Sequence, residues 1–425
     1  MKNINYILKE VLIKINPPEI EIKSIEKFLK GFINNLKGKL KTINARAEVF
    51  VGGSFAKNTL IKKGLYDIDV FVRFDEKYKE KDISKLLERA LKGTRQKYSV
   101  IHGSRDYFKI DVDDNFFIEL IPVIKVKNPK EAGNITDLSY FHVNYIEKKL
   151  NKNMIDDVRL AKAFCHANKC YGAESYINGF SGYALELLII YYKNFLNFLR
   201  AMTRVEDREI IDIEKLYKNK QELIMNMNSA KMSSPIILID PTYKERNALA
   251  ALSKETFEEF KKACSNFLKN PKEESFQIKR ADLEKIKENA NKKKEEFVLL
   301  NLETNKQEGD IAGSKLVKFY KHLGEELEKF YKIINKGFEY DGEKNAEAFF
   351  VVKSKGEIIF NGPSIKDKKN MRRFKKRHKK TLIKNGKIFA KEKASKNIKE
   401  FITDWMSANY QKTVEMSISE IKIEN

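Results

Sequence analysis

The sequence predicts an α+β protein with several domains. Its 425 residues exceed what one hydrophobic core usually organises, and 42% of them are hydrophobic, which is enough for several cores. Strand-like runs are concentrated in residues 1–145 and 276–392, whereas residues 146–275 repeat apolar positions at helical intervals. We therefore predict an α+β head domain (1–145), a helical central domain (146–275), an α+β tail domain (276–392) and a C-terminal helical segment (393–425) that packs back on the body.

Within the head domain, the spacing of apolar residues predicts each element in turn. Apolar residues from Ile25 to Leu36 recur at steps of three and four, which predicts an amphipathic helix that Pro17 and Pro18 begin. Later runs alternate or are continuously apolar, and these predict strands. The predicted elements are a helix over 18–40, strands around 49–51 and 68–72, a helix over 82–93 and a strand over 116–126.

The central domain contains four segments with a helical period and one short strand, PIILID, at 235–240. The four segments are DDVRLAKAFCHANK, FSGYALELLIIYYKNFLNFLRAM, DIEKLYKNKQELIM and SKETFEEFKKACSNFLKN. The charged residues 276–295 are predicted to form a linking helix, and a further helix is predicted around 312–335. Apolar residues from Ile398 to Met406 share one face of the last helix, so we expect that helix to pack back on another domain.

The charge of the chain favours a polyanionic partner. Lys and Arg number 83 and Asp and Glu number 60, which gives a net charge of +23. Such a protein binds phosphate backbones with release of counterions, so nucleic acid is the leading partner. Charge alone names no function.

Neither insertion in a membrane nor secretion is expected for this chain. The longest apolar stretch, 183–192, is about half as long as a membrane span and contains Glu186, so no transmembrane helix is expected. The first residues lack the continuous apolar region of a secretory signal. The three cysteines fit neither a disulfide framework nor a zinc site, which indicates the cytoplasm.

The run YDIDVFVRF contains two acids inside a predicted strand. Because side chains alternate across a strand, Asp67 and Asp69 lie on the same face, with Cβ atoms roughly 7 Å apart. A hard cation would hold both carboxylates ionised, and Mg²⁺ prefers carboxylates together with phosphate oxygens. Glu119 lies within the third predicted strand and would reach the same site if the two strands are neighbours.

A glycine turn precedes the acids. Gly52 and Gly53 allow a tight turn, and Ser54 is predicted to cap a helix over SFAKNTLIKKG. The free N–H groups at the start of such a helix bind phosphate, and the Ser54 hydroxyl would add a donor. Either motif alone is common, but their combination with a third acid about fifty residues later favours a functional site.

These residues resemble the nucleotidyltransferase superfamily of the DNA polymerase β type, and more narrowly the archaeal, class I CCA-adding enzymes. The resemblance extends over most of the chain and includes GGSFAKNTL, YDIDVFVRF, IELIPVIKVKNPK, VRLAKAF, GFSGYALELLI, DPTYKERNALAALS and FNGPSIKDKKNMRRF. It implies a polymerase β-like head domain that adds C, C and A to the 3′ end of tRNA from CTP and ATP, without a nucleic-acid template.

The resemblance implies a two-metal site. Asp67, Asp69 and Glu119 would be the catalytic residues and would bind two Mg²⁺ ions, which activate the attacking hydroxyl and stabilise the transition state. The family usually has aspartate at the third position. The extra methylene of Glu119 shifts the carboxylate, which puts the rate and the geometry in question.

The resemblance also implies a nucleotide site, formed by Gly53, Ser54, Lys57, His142, Lys162, Tyr171 and Arg246. Several of these have a plain structural alternative. His142 is also explained as a hydrogen-bonded structural residue, Lys162 as part of a solvated face and Tyr171 as packing at a helix end.

Arg246 resembles the residue of the family that reads the base. Cytosine N3 and adenine N1 are acceptors, whereas uracil and guanine present an N–H at the equivalent position, and an arginine carries only donors. One arginine can therefore accept C and A and reject U and G. The alternative is that Arg246 pairs with Glu245 or Asp240 at the surface.

The basic run KDKKNMRRFKKRHKK predicts a helix with Met371 and Phe374 on one face. In the family a tail domain holds the far part of tRNA, so the exposed cations of this helix are predicted to bind RNA. They are Lys368, Lys369, Arg372, Arg373, Lys376 and Arg377. A merely solvated face and a nuclear-localisation cluster are the alternatives.

Three further interpretations stay open. An A-adding or poly(A)-type transferase and a synthetase of oligonucleotides use the same chemistry, and a catalytically inactive RNA-binding relative would keep the same fold.

The resemblance to archaeal relatives also suggests that the protein is a homodimer.

Overall fold

The computed structural model describes residues 4–424 except 63, 80, 279, 379 and 394–396. Of residues 392 and 393 it describes the backbone only. The chain divides into two units between residues 279 and 280. The fold is α+β, as predicted, and the first unit contains both the head sheet and the central helices. The predicted domain borders at 145, 275 and 392 stay predictions.

The head part of the first unit is a five-stranded sheet with helices packed on one face. The strand order is β1-β2-β5-β4-β3, and β2 pairs with β5 in parallel. Buried residues of α2 and α4 cover the core face, where Ile68, Val70, Ile118 and Leu120 are all 0% exposed. The elements are α1 (Ile4–Ile15), α2 (Glu19–Thr42), β1 (Ala47–Val51), α3 (Gly53–Ala56), β2 (Tyr66–Phe74), α4 (Ile83–Lys92), β3 (Ser99–Ile101), β4 (Tyr107–Asp111) and β5 (Phe116–Ile124).

The central part of the first unit is mainly helical. Its core is rich in aromatic residues, among them Phe164, Phe180, Phe198 and Phe260. A small three-stranded sheet in the order β6-β7-β8 packs beside the helices. The elements are α5 (Ser139–Lys149), α6 (Lys152–Ala167), α7 (Gly182–Tyr192), α8 (Phe195–Met202), β6 (Glu209–Ile211), α9 (Lys220–Asn226), β7 (Ile236–Asp240), β8 (Tyr243–Asn247) and α10 (Lys254–Lys269).

The second unit has two sheets. A four-stranded sheet in the order β10-β11-β9-β15 is covered by α12 and α14, and a three-stranded sheet in the order β12-β14-β13 carries α13. The C-terminal helix α14 packs back through Ile398, Ile402 and Trp405 onto the larger sheet of this same unit. The elements are α11 (Leu283–Lys292), β9 (Glu296–Glu303), α12 (Asp310–Glu328), β10 (Tyr331–Tyr340), β11 (Asn345–Ser354), β12 (Glu357–Ser364), α13 (Lys368–Arg377), β13 (Thr381–Lys384), β14 (Lys387–Lys393), α14 (Ile398–Ala408), α15 (Tyr410–Glu415) and β15 (Glu420–Glu424).

Several predicted helices are shorter than expected or interrupted: the helix predicted over 276–295 covers only α11, and the segment at 180–202 breaks at Lys193, where φ is 73°. The helix predicted from Ser54 ends after one turn, because Asn58 adopts a positive φ of 55°. The segment DIEKLYKNKQELIM is helical only over α9, and Lys215 has a positive φ of 51° before it. The helix predicted around 312–335 ends at Glu328, since Tyr331 begins a strand that pairs with β11.

Candidate active site

The three predicted acids lie on one face of the head sheet. The parallel pairing of β2 with β5 places Asp69 directly opposite Glu119 and Asp67 opposite Phe117. Residues opposite one another in neighbouring strands point to the same side, so the three carboxylates share the face that is turned away from the core. All three side chains are half-buried. The condition that the sequence left open, that the two strands be neighbours, is met.

The chemistry of this face fits a hard cation. Three carboxylates from two adjacent strands supply the oxygen ligands that Mg²⁺ prefers. In the part of the chain that the structure describes, no three His, Cys, Asp or Glu side chains are already gathered as a metal site. The role of Asp67, Asp69 and Glu119 as metal ligands therefore stays a prediction.

Lys109 is a neighbour of the acids that the sequence reading missed. It lies on β4 directly opposite Glu119, so its side chain is on the same face. Its ammonium is 3.7 Å from Asp111 and 4.8 Å from the centre of the Phe117 ring. Only the pairing of β4 with β5 reveals this position.

Gly53 brings the turn into contact with Asp69. Its φ is +60°, and a Cβ added there would lie 1.7 Å from Asp69 Oδ2. The backbone N–H of Gly52 also donates to the carbonyl of Asp69 at 2.9 Å. A side chain at position 53 would therefore displace the carboxylate of Asp69.

The predicted capping role of Ser54 is wrong. The cap of α3 is Gly52, it makes no side-chain cap bond, and the helix has only four residues. So short a helix adds little dipole, and the predicted phosphate site at a helix N-terminus loses its basis. A contact between the Ser54 hydroxyl and phosphate stays a prediction.

The turn leads from the acids to a buried polar cluster around Glu186. Lys57 Nζ donates to Glu186 Oε2 at 2.6 Å, and the hydroxyl of Thr59 donates to Oε1 at 2.8 Å. Lys162 Nζ lies 3.2 Å from Oε1 and donates to the Thr59 hydroxyl at 2.8 Å. The side chains of Lys57, Lys162 and Glu186 are 8%, 3% and 0% exposed. Lys162 is thus not part of a solvated face.

The Glu186 cluster holds two cations and one anion. Burial opposes ionisation of Glu186, but Lys57 and Lys162 outweigh it and hold the pKa of its carboxyl below the ordinary 4.5. The buried excess of positive charge suits a triphosphate.

Tyr171 lies near the Glu186 cluster. Burial raises the pKa of its hydroxyl, and the negative charges of Asp67 and Glu186 raise it further. A Cβ at Gly182 would lie 2.9 Å from the Tyr171 hydroxyl and 3.7 Å from Lys162 Nζ, so both groups lie beside Gly182. The ring of Tyr171 stacks on His166 with centroids 3.9 Å apart.

A second buried cluster surrounds Asp240. Its Oδ1 accepts hydrogen bonds from the Tyr183 hydroxyl at 2.9 Å and from the N–H and the hydroxyl of Thr242, each at 2.8 Å. Its Oδ2 is 3.0 Å from His142 Nε2 and 2.7 Å from Arg246 Nη1. Arg246 therefore pairs with Asp240, as the structural alternative expected, but within the interior and not at the surface.

The protonation of the Asp240 cluster follows from its burial. Burial lowers the pKa of His142 below 6.5, although Asp240 acts in the opposite direction. Burial also works against ionisation of Asp240, but the bonds from His142 and Arg246 prevail and hold the pKa of the carboxyl well below its usual range. Since a carboxylate only accepts, the neutral imidazole donates through Nε2.

The predicted RNA-binding cations lie on α13 in the second unit. All six, from Lys368 to Arg377, are exposed, whereas Met371 and Phe374 are half-buried on the face towards β12. The Phe374 ring would be 2.9 Å from a Cβ at Gly362. The predicted division of this helix into an apolar and a basic face is confirmed, and its contact with RNA stays a prediction.

Replacing Glu186 by Ala should lower the free energy of unfolding strongly. The change leaves two ammonium groups buried without their anion, and such a loss costs about 3–5 kcal/mol. The measurement is the free energy of unfolding in urea. Glu19→Ala is the control, because the Glu19–Lys23 pair is 82% and 69% exposed and contributes at most about 1 kcal/mol. Equal effects of the two changes would contradict the structural role of Glu186.

The same carboxyl makes stability depend on pH. The pKa of Glu186 lies below 4.5 in the folded protein. Its contribution to the free energy of unfolding is therefore complete above the pKa of the unfolded chain. That contribution is lost as the pH falls through the lower pKa of the folded protein. Glu186→Gln, which cannot ionise, should lack this part of the acid-induced loss.

Glu186, Asp240, Tyr183 and Thr59 belong to the two buried clusters, and the sequence did not single them out. A signal existed for Glu186, since it is an acid inside the apolar run YALELLIIYY. Asp240 appeared only as a possible partner of Arg246.

Comparison with protein families finds two matches. The family "tRNA nucleotidyltransferase, second domain" matches residues 156–277. The family "Second Messenger Oligonucleotide or Dinucleotide Synthetase domain" matches residues 1–140. Together they cover the head sheet and most of the central helices.

Similar curated proteins include archaeal CCA-adding enzymes. The one from Nanoarchaeum equitans is 44% identical over 210 residues, which are 49% of this chain and 52% of that protein, so the match spans about half the length of that relative. The one from Methanocaldococcus jannaschii is 29% identical over 421 residues, which are 96% of this chain and 92% of that protein.

Solved structures show the fold. A cytoplasmic RNA terminal U-transferase matches with a TM-score of 0.51 at 14% identity, over 66% of this chain and 99% of that chain. The Cid1 poly(U) polymerase, in a mutant form bound to MgATP, matches with a TM-score of 0.52 at 16% identity, over 65% of this chain and 99% of that chain. In sequence the chain is similar to archaeal CCA-adding enzymes over nearly its whole length, and its fold is that of nucleotidyltransferases of the DNA polymerase β type.

Proposed function

We propose that this protein adds C, C and A to the 3′ end of tRNA from CTP and ATP, without a nucleic-acid template. The observation that carries the chemical step is the pairing of Asp69 with Glu119 on neighbouring strands, with Asp67 on the same face. The likeness to CCA-adding enzymes over 96% of the chain supports the product.

The reaction transfers a nucleotide. The 3′ oxygen of the RNA forms a bond to the α-phosphorus, the bond from that phosphorus to the pyrophosphate oxygen breaks, and the hydroxyl proton passes to a nearby base or water. Asp67, Asp69 and Glu119 would hold two Mg²⁺ ions, whose positive charge lowers the hydroxyl pKa and stabilises the transition state. The half-buried acids and the glycine turn keep the reacting groups in place.

The Glu186 cluster would bind the triphosphate. Its two lysine ammonium groups supply one more charge than Glu186 neutralises, and Tyr171 adds a neutral hydroxyl beside them. The neutral imidazole of His142 donates through Nε2 to Asp240, which leaves Nδ1 as an acceptor, so His142 would contact the phosphates through a bridging water. Gly53 and Ser54 complete this predicted subsite.

Arg246 would choose the base. Its side chain is 22% exposed, and Nη1 is bound to Asp240. The other N–H donors can meet the acceptor at cytosine N3 or adenine N1 and are repelled by the N–H of uracil or guanine. No template is then needed.

The second unit would bind the body of the tRNA. The six exposed cations of α13 are presented by a helix whose apolar face is fixed to the sheet beneath it. Such a surface binds phosphates without reading sequence.

We also propose that the protein acts in the cytoplasm as a homodimer. Within the described ranges, no helix is both long and apolar enough to cross a membrane.

A synthetase of oligonucleotides is the second candidate. The match of residues 1–140 to the oligonucleotide or dinucleotide synthetase family favours it. Such an enzyme would join nucleotides without a tRNA acceptor, so the acceptor requirement separates the two proposals.

The test is incorporation of labelled nucleotides into tRNA that lacks its last three residues. CTP and ATP are supplied separately and together, with UTP and GTP as controls. We expect two C and then one A. Addition of A alone would identify an A-adding enzyme, products formed without tRNA would identify the synthetase, and inactivity of folded, tRNA-binding protein would identify an inactive relative.

A further inference from the structure

We propose that Asp240 is a positioning residue for nucleotide selection, which fixes the guanidinium of Arg246 so that its outer N–H donors face the base. The proposal rests on the proposed function and extends it to a residue that would touch neither the base nor the phosphates. Asp240 acts through Arg246, and it holds His142 in the same network.

The hairpin brings the two residues together. Asp240 is the last residue of β7 and Arg246 lies within β8, after a connection of only two residues. The ladder is irregular between Ile239 and Asp240, and this shift accompanies the inward position of the Asp240 carboxylate. Its side chain is 0% exposed, whereas that of Arg246 is 22% exposed. The carboxylate of Asp240 thus binds the guanidinium of Arg246 from the buried side.

The two oxygens of Asp240 have separate partners. Oδ1 accepts three bonds, all from the neutral donors of Tyr183 and Thr242, and these fix the orientation of the carboxylate. Oδ2 holds both predicted nucleotide contacts, His142 and Arg246. The ring of Tyr183 also stacks on His142 with centroids 4.1 Å apart and lies 5.7 Å from the Arg246 guanidinium. His142 and Arg246 are therefore both in contact with Tyr183, a third partner of the carboxylate.

This arrangement makes Asp240→Asn a selective change. The amide oxygen can replace Oδ1 and keep the bonds to Tyr183 and Thr242. The amide nitrogen then takes the place of Oδ2 and presents N–H groups to Arg246, which has only donors. Arg246 should turn away, and the preference for bases with an acceptor at this edge should weaken.

The experiment measures kcat/KM for CTP and for UTP with tRNA that lacks its last three residues. For Asp240→Asn we expect the CTP to UTP ratio to fall by about tenfold or more, because a charge-assisted hydrogen bond is lost from a buried site. A smaller fall in folded protein overturns the proposal. Inactivity of the wild-type protein in the same assay would count against the proposed function instead.

Two comparisons sharpen the test. Asp106→Asn is the matched control, because Asp106 pairs with His102 at 3.1 Å on the surface, and it should leave the ratio unchanged. In an Arg246→Ala background, Asp240→Asn should have no further effect on the ratio, since Asp240 acts through the arginine. An undiminished additional effect there would overturn the proposal.

If Asp240→Asn does not fold, Tyr183→Phe takes its place. This change removes one of the bonds that orient the carboxylate and keeps the ring, so the ratio should fall in the same direction by a smaller factor. An unchanged ratio for Tyr183→Phe would overturn the proposal.

Discussion

Asp69→Asn is expected to abolish nucleotide incorporation, with kcat/KM at least about a thousandfold lower. Asp69 lies opposite Glu119, on the same face as Asp67, and touches the Gly53 turn. An amide keeps the size of the carboxylate but has no negative charge to bind a cation. The measurement is single-turnover addition of C to tRNA that lacks its last three residues.

The fold should survive this change. The Asp69 side chain is half-buried on the face of the sheet that is turned away from the apolar core, and the substitution preserves its volume. The melting temperature and the affinity for tRNA should therefore stay close to the wild-type values. Asp114→Asn, in the exposed turn before β5, is the control with full activity. Retained turnover of Asp69→Asn would refute the metal assignment.

Gly53→Ala is expected to reduce incorporation by about a hundredfold or more, because small misplacements at a reacting centre have effects of this size. A methyl group at this position would lie 1.7 Å from Asp69 Oδ2, and the φ of +60° is unfavourable for any residue with a Cβ. The carboxylate of Asp69 or the turn must move. Steady-state kinetics with CTP measure the loss.

Gly342→Ala separates backbone strain from the collision with Asp69. Gly342 also has a positive φ, of +90°, but a Cβ there would have no atom within 4 Å. It should lose only about 1–2 kcal/mol of stability and keep its activity. If Gly53→Ala were as active as Gly342→Ala, the contact between the turn and the acid would have no catalytic importance.

Several regular elements could be predicted because their signals are local. The helix predicted over 18–40 is α2, from Glu19 to Thr42, and the strand predicted at 235–240 is β7. The face shared by Asp67 and Asp69 also follows from the alternation along one strand. The prediction of a long helix after Ser54 was wrong for a tertiary reason. The buried hydrogen bond from Thr59 to Glu186 and the left-handed backbone conformation of Asn58 override the local helical pattern.

The sequence by itself determined the fold class, the acids, the glycine turn and, through its resemblance to a family, the chemistry. Only the tertiary structure decided how these groups are paired. It placed Asp69 beside Glu119, buried Lys57 and Lys162 on Glu186, and joined His142 and Arg246 on Asp240. The reason is physical. Alternation and helical period report only which face a residue occupies, whereas buried charges must find partners, and those partners come from segments distant in the chain.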